Sequence, residues 1–197
     1  IANLIESRDG STGLHVKNTQ NYVQILTKAL REKGMYPDIL DHNYELNTVK
    51  ASVLHDIGKI KTPDAILLKP GRLTDEEFEV MKQHTVAGCE IIDRIIGNVE
   101  HEEYVDIARK IARYHHERWD GTGYPDGLSG EEIPLCARIM ALADVFDALY
   151  QDRCYKKAIR PASKVFEIIK ENSGSQFDPN LTEIFLELQR EITDISE

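Results

Sequence analysis

The chain has 197 residues, 41% of them hydrophobic and 29% charged, with a formal net charge of -10. That length supports one good hydrophobic core and is short for two, and the composition is that of a globular protein. The acidic balance excludes a non-specific binder of DNA or RNA polymers or of anionic membrane, since each needs a basic face.

An anionic substrate would therefore have to be held by metal ions and a few local cations. Cys89, Cys136 and Cys154 are odd in number and lack CxxC spacing, so free thiols in a reducing, cytoplasmic compartment are expected. No apolar run approaches membrane-spanning length, and no signal peptide is visible. The chain opens on Ile1, which suggests that it is cut from something longer.

Residues 1–13 contain the turn-like Arg8-Asp9-Gly10-Ser11-Thr12-Gly13. A helix is predicted from about Leu14 to Lys33, with Val16, Tyr22, Val23, Ile25, Leu26, Ala29 and Leu30 on one face and Gly34 as its stop. His15 lies in its first turn, where a histidine taken alone reads as a surface residue.

Residues 46–58 read as one buried helix, carrying His55-Asp56 where the apolar run is densest. A buried ionisable pair must be paired with each other or bound to metal, because desolvating it otherwise costs several kcal/mol. Lys59 follows four residues after His55, hence on the same helical face; it could set a cation beside a metal site or simply favour the helix C-terminus.

Residues 60–73 hold Pro63, Pro70 and Gly71 and read as loop. Thr74 and Glu77 have capping-box spacing and open a helix to about Ile96, with His84 among Phe78, Val80, Met81, Val86, Ala87, Ile91 and Ile92. Gly88 leaves room for a close approach of backbone or ligand. A further helix is predicted over 101–117, ending in His115-His116. Adjacent helical residues point about 100° apart, so two neighbouring metals would suit that pair better than one. His42 and His101 lie in polar surroundings and take the bland surface reading.

The stretch 115–126, His-His-Glu-Arg-Trp-Asp-Gly-Thr-Gly-Tyr-Pro-Asp, is too rich in turn signals for core yet carries a Trp and a Tyr. It reads as a binding loop beside a helix end. From Pro134 to Leu149 an apolar helix is interrupted by Asp144, which needs a metal or a strong donor, and by Asp147, read as its partner or as a surface residue. Residues 151–160 form a basic patch. Helices over 161–171 and 179–195 complete an all-α chain; the Ser173-Gly174-Ser175 link is too short to separate domains.

His15, His55, Asp56, His84, His115, His116 and Asp144 thus supply five imidazoles and two carboxylates on successive helices. Mixed N/O ligands suit Fe, Mn, Zn or Ni rather than Ca or Mg. Five histidines exceed the needs of one ion, so a shared Asp bridging two ions is the natural solution, and two-metal sites catalyse phosphoryl displacement.

His55-Asp56 with Asp144 resembles the core of the HD-domain phosphohydrolases. The stretches 55–59, 84–88, 115–125 and 143–149 resemble the HD-GYP subfamily, and the likeness runs from about Arg8 to Pro179. The resemblance implies a compact helical bundle with a GYP loop, residues 1–197 acting as a single domain, and residues 1–13 joining it to an N-terminal sensor or receiver module. It implies a bacterial phosphodiesterase that hydrolyses cyclic di-GMP to the linear dinucleotide and onward to GMP in some members.

By the same resemblance the seven residues above are metal ligands, with Asp56 bridging. Asp56 and Lys59 would be catalytic. Lys59, Arg153 and Lys156 would face substrate phosphates, and Tyr124 would contact the nucleotide. The cofactor would be two divalent transition-metal ions, iron first, with manganese or nickel as alternatives. A hydroxide shared by the ions would attack phosphorus, and no membrane insertion is expected; a homodimer is one assembly open to it.

Three positions depart from the family pattern: Ser11 where three-metal members carry Glu, Asn18 for an Arg, and Cys154 for a Pro. Ser11 points to two metals and puts the second hydrolysis in doubt. Asp9, in the same turn, is the acid that would compensate and is counted with the substrate contacts. Two other readings stay open: a non-hydrolysing cyclic-dinucleotide receptor or interaction module, and a phosphohydrolase acting on a hybrid cyclic dinucleotide.

Overall fold

The structure, a computed structural model, is described for residues 8, 14–96, 102–151 and 158–195. Asp9, Ser11, His101, Arg153, Cys154 and Lys156 lie outside the described residues. The helices are α1 (His15–Glu32), α2 (His42–Ala51), α3 (Asp64–Leu67), α4 (Asp75–Ile96), α5 (Glu102–Tyr114), α6 (Leu135–Tyr150), α7 (Ala162–Glu171), α8 (Pro179–Glu187) and α9 (Gln189–Asp194). Short 3-10 turns cover Ser52–Leu54, Ile57–Lys61 and Gly130–Glu132. Among the described residues the fold is all-α, with one isolated bridge between Ser173 and Phe177. No described helix is long and apolar enough to cross a membrane.

The core is built around α6. Cys136, Ala137, Ile139, Met140, Leu142, Ala143 and Phe146 are fully buried, so this helix is apolar nearly all round, as a central helix must be. It packs on α1, α5, α7 and α8. Phe146 meets Tyr22 edge-on at 5.1 Å and lies 4.9 Å from Phe166 and 5.7 Å from Phe185. Rings at such offsets contribute beyond the area they bury. On α1, Val23, Leu26 and Leu30 are fully buried at helical spacing.

The expected helix over 46–58 is not continuous. α2 starts at His42 and stops at Ala51, and the chain then tightens into two 3-10 turns with His55 and Asp56 between them. The cause is close packing on α4. A Cβ on Gly58 would lie 1.8 Å from the His84 carbonyl oxygen and 2.5 Å from the Gly88 nitrogen. Only glycine permits that approach; a Cβ on Gly88 would in turn meet Ala112 Cβ at 3.3 Å and the Gly58 nitrogen at 3.4 Å, so Gly88 makes room for a side chain and for backbone. Leu46, inside the stretch expected to be buried, is exposed.

The capping box at α4 forms as the spacing predicts. The Thr74 N–H donates to Glu77 at 2.7 Å, and the Glu77 N–H donates to the Thr74 hydroxyl at 3.3 Å. Phe78 and Val80, expected on the inner face, are instead 44% and 41% exposed. α5 ends at Tyr114, before His115, and the helix expected over 179–195 breaks at Leu188.

Candidate metal centre

The turn between the 3-10 segments carries His55 and Asp56, α4 carries His84, the end of α5 leads into His115 and His116, α1 begins at His15, and α6 carries Asp144. Their ligand atoms fall into two groups, Asp56 with His84, His115 and His116, and His15 with His55 and Asp144, each within 4.8 Å. Asp56 lies between the groups. Its Oδ1 is 3.4 Å from His84 Nε2 and 3.7 Å from His115 Nε2, while Oδ2 is 3.3 Å from His55 Nε2. Asp144 Oδ1 is 3.3 Å from His15 Nε2 and 4.0 Å from His55 Nε2.

His115 and His116 share one group, with ring centroids 4.1 Å apart. The 100° separation expected of them does not apply, because both follow the end of α5.

Backbone carbonyls orient three of the imidazoles. The Nδ1 of His55 donates to the Ser52 carbonyl at 2.8 Å, that of His84 to Met81 at 2.7 Å and that of His115 to Ile111 at 2.9 Å. A carbonyl can only accept, so the proton sits on Nδ1 and each Nε2 turns a lone pair into the cluster. His55 Nε2, Asp56 Oδ1, His84 Nε2 and His115 Nε2 are buried without a hydrogen-bond partner. Leaving such atoms unpaired costs about 1–3 kcal/mol each. Imidazole and carboxylate together suit a divalent transition metal, so the donor set and its orphaned atoms fit divalent metal binding.

His15 is held differently. Its Nδ1 donates to Asp147 Oδ2 at 2.6 Å. Asp147 is fully buried, and its Oδ1 accepts from Asn18 at 3.2 Å and from the Tyr22 hydroxyl at 3.3 Å. Asp147 is therefore the partner of His15, neither a surface residue nor the partner of Asp144. Asn18, one of the three departures from the family pattern, steadies that carboxylate. His15 itself is buried, against the surface reading.

The electrostatics follow from burial and these contacts. Burial works against ionisation of Asp56, but the charge of Lys59 beside it outweighs burial and holds it well below the usual carboxylate range. For Asp144, burial is likewise opposed and outweighed by His15. Burial first, then the charge of Lys59, pushes His84 down to about 4, and burial holds His116 well below 6.5. Both stay neutral near pH 7, the form that ligates metal. Burial acts to lower His15 as well, but hydrogen bonds and charge from Asp144 and Asp147 outweigh it and raise His15 to about 10.

Lys59 Nζ lies 2.7 Å from Asp56 Oδ2, three residues away in a 3-10 turn rather than four from His55 along an α-helix. Tyr124 stacks on the His116 ring at 4.9 Å and meets Phe78 edge-on at 5.9 Å. The loop that presents it is tied down by Glu117, a residue with no obvious sequence signal. Its carboxylate accepts the N–H groups of Asp126, Gly127 and Leu128 at 2.8, 3.0 and 3.1 Å. Gly123 closes the turn, since a Cβ there would lie 2.3 Å from the Arg118 nitrogen. Lys59, Ile66, Leu67, Lys69, Gly71, Leu73, Met81, His84, His116 and Tyr124 surround a cleft of about 280 Å³.

The fold is all-α with a His/Asp cluster able to hold divalent metal, and the chain matches the HD-domain family over residues 3–181. It belongs to that family. A cyclic di-GMP phosphodiesterase of Vibrio cholerae is 46% identical over 199 residues, covering 100% of this chain and 40% of that protein. A 3'3'-cGAMP-specific phosphodiesterase of the same organism is 37% identical over 187 residues, covering 95% of this chain and 33% of that protein. The chain thus spans less than half the length of these relatives. A crystal structure of a cyclic GMP-AMP specific phosphodiesterase of V. cholerae superposes with a TM-score of 0.65 at 20% identity, over 98% of this chain and 50% of that one, a likeness of fold.

Proposed function

We propose that this chain is the phosphodiesterase unit of a longer signalling protein and hydrolyses cyclic di-GMP to the linear dinucleotide. The observation that carries the reading is the Asp56 carboxylate between two ligand groups, with four buried polar atoms left for cations. One ion would be held by Asp56, His84, His115 and His116, the other by Asp56, His15, His55 and Asp144. Imidazole and carboxylate ligands suit Fe, Mn, Zn or Ni; the resemblance to the HD-GYP proteins puts iron first, with manganese or nickel as alternatives. Two bound cations would supply Lewis-acid charge and a water acidic enough to attack phosphorus near neutral pH.

The protein's own groups do the rest. Lys59, held at Asp56, brings a cation to the phosphate and stabilises the charge that grows on its equatorial oxygens. Tyr124, fixed between His116 and Phe78, offers a rigid ring to the nucleotide. Arg153, Lys156 and Asp9 complete the substrate contacts in this reading. Ser11 offers one neutral oxygen where three-metal members have a carboxylate, so two ions and slow cleavage of the linear product are expected.

The test is incubation of the metal-loaded protein with cyclic di-GMP, products resolved over time, and elemental analysis of the same sample. Accumulating linear dinucleotide with two metals per chain supports the reading. Tight binding without turnover would favour a receptor instead. The 3'3'-cGAMP-specific relative makes a hybrid dinucleotide the second substrate to try, and a higher kcat/KM for it would reassign the specificity.

A further inference from the structure

We propose that Lys69 binds the second phosphate of the dinucleotide, the one that is not cleaved. The proposal rests on the phosphodiesterase reading and adds a contact within the same cleft. Lys69 lies between α3 and α4 and lines the cleft together with Lys59, His84, His116 and Tyr124. Its ammonium is held in place. Nζ donates to Glu77 Oε2 at 2.5 Å, and the side chain is 29% exposed. The same Glu77 oxygen accepts the Thr74 N–H. The capping box of α4 thereby anchors a lysine at the cleft, so little side-chain entropy remains to be lost on binding. An ammonium has three N–H groups, and the bond to Glu77 uses one.

The chemistry of the substrate supplies the second half of the argument. A cyclic dinucleotide is a ring in which two phosphodiesters are separated, on either side, by one nucleoside. When one phosphate lies at the histidine and aspartate cluster beside Lys59, the other lies one nucleoside away and carries a full negative charge. The cleft is at the small end of ligand sites, which run from about 300 Å³ upward, so it admits one nucleotide half. Ile66, Leu67, Leu73 and Met81 give it apolar walls suited to a purine face. Lys59 and Lys69 are the two lysines among its lining residues. In a chain with net charge -10, an unmatched phosphate at the cleft would meet a repulsive background. One lysine beside the cluster and a second lining the same cleft give each of the two phosphates a cation of its own.

The test compares metal-loaded wild type, Lys69→Met and Lys69→Arg on cyclic di-GMP and on bis(p-nitrophenyl) phosphate, which has a single phosphate. Glu77 keeps its bond to Thr74 in both variants, so α4 retains its start. For Lys69→Met the expected result is a KM for cyclic di-GMP raised about 10-fold, the loss typical of one charged hydrogen bond. Its loss in kcat/KM on the dinucleotide should exceed that on the single-phosphate ester by a similar factor. Lys69→Arg should recover most of the affinity. An unchanged KM in Lys69→Met, or equal losses on both substrates, would overturn the role of Lys69 alone. A wild type that cleaves the ester but not the dinucleotide would overturn the substrate reading and this proposal with it.

Discussion

Asp147 holds His15: Oδ2 of the buried carboxylate lies 2.6 Å from Nδ1, and the opposite ring nitrogen points at Asp144, 3.3 Å away. The two residues are 132 positions apart. A carboxylate behind a ligand imidazole sets its tautomer and raises its basicity, and losing such a partner typically costs about 10- to 100-fold in metal affinity. In Asp147→Asn, metal affinity should fall by that factor in the His15, His55 and Asp144 group, with the other group less affected. Titration of a divalent metal into the apo-protein, followed by calorimetry, reads both steps. Two unchanged affinities would remove Asp147 from this role.

Asp56 faces both groups, so Asp56→Ala should lose metal and turnover together. The measurement is metal content per chain alongside hydrolysis of cyclic di-GMP. A variant that keeps one full equivalent of metal would show that Asp56 serves only the His84, His115 and His116 side.

Glu117 ties three consecutive N–H groups of the loop that carries Tyr124. Hydrogen bonds to a charged acceptor contribute about 1.5–3 kcal/mol each, and not additively. Glu117→Ala should therefore destabilise the protein by about 2–4 kcal/mol and raise KM for the dinucleotide. Thermal unfolding should show a fall of about 5–15 °C, at about 2–4 °C per kcal/mol for a chain of this size. Gln keeps one acceptor oxygen, and Glu117→Gln should lie between. Wild-type stability in the alanine variant would show that the loop holds itself.

The shifts of His84, His116 and His15 should give the apo-protein a stability that peaks near pH 6.5. His84 is pushed down to about 4, so between pH 6.5 and 4 the unfolded chain binds the proton that the folded chain refuses. Stability therefore falls as pH drops through that window, by about 2–3 kcal/mol from this residue. His116 acts in the same direction. His15 is raised to about 10, so its contribution is fully present below pH 6.5 and is lost as pH rises toward 10. Denaturant unfolding of the apo-protein across pH 4–10 should trace both limbs. Metal loading should flatten the alkaline limb, because a His15 that ligates a cation no longer carries the proton. A monotonic profile in the apo-protein would contradict the assignment.

Much of the molecule follows from local pattern. The apolar spacing of α1 and of α6, the Thr74–Glu77 capping box and the turn-rich stretch after His116 each depend on residues within a few positions of one another, so periodicity and cap chemistry suffice to read them. His55, Asp56 and Asp144 could be singled out because ionisable groups set in dense apolar runs demand partners, while His15, His84, His115 and His116 gained weight only in their company. What the linear chain does not carry is the identity of those partners. That His115 and His116 face one group follows from α5 ending one residue earlier. That His55 and Asp56 sit in a tight turn follows from Gly58 pressing on the backbone of α4. That Asp147 serves His15, and that Glu117 secures the loop, depends on directions and distances set only when α1 packs on α6 and the loop closes on itself. Helix propensity is a property of neighbours in sequence; the pairing of a buried charge is decided by whichever group, however remote in the chain, the packed core brings within hydrogen-bond reach.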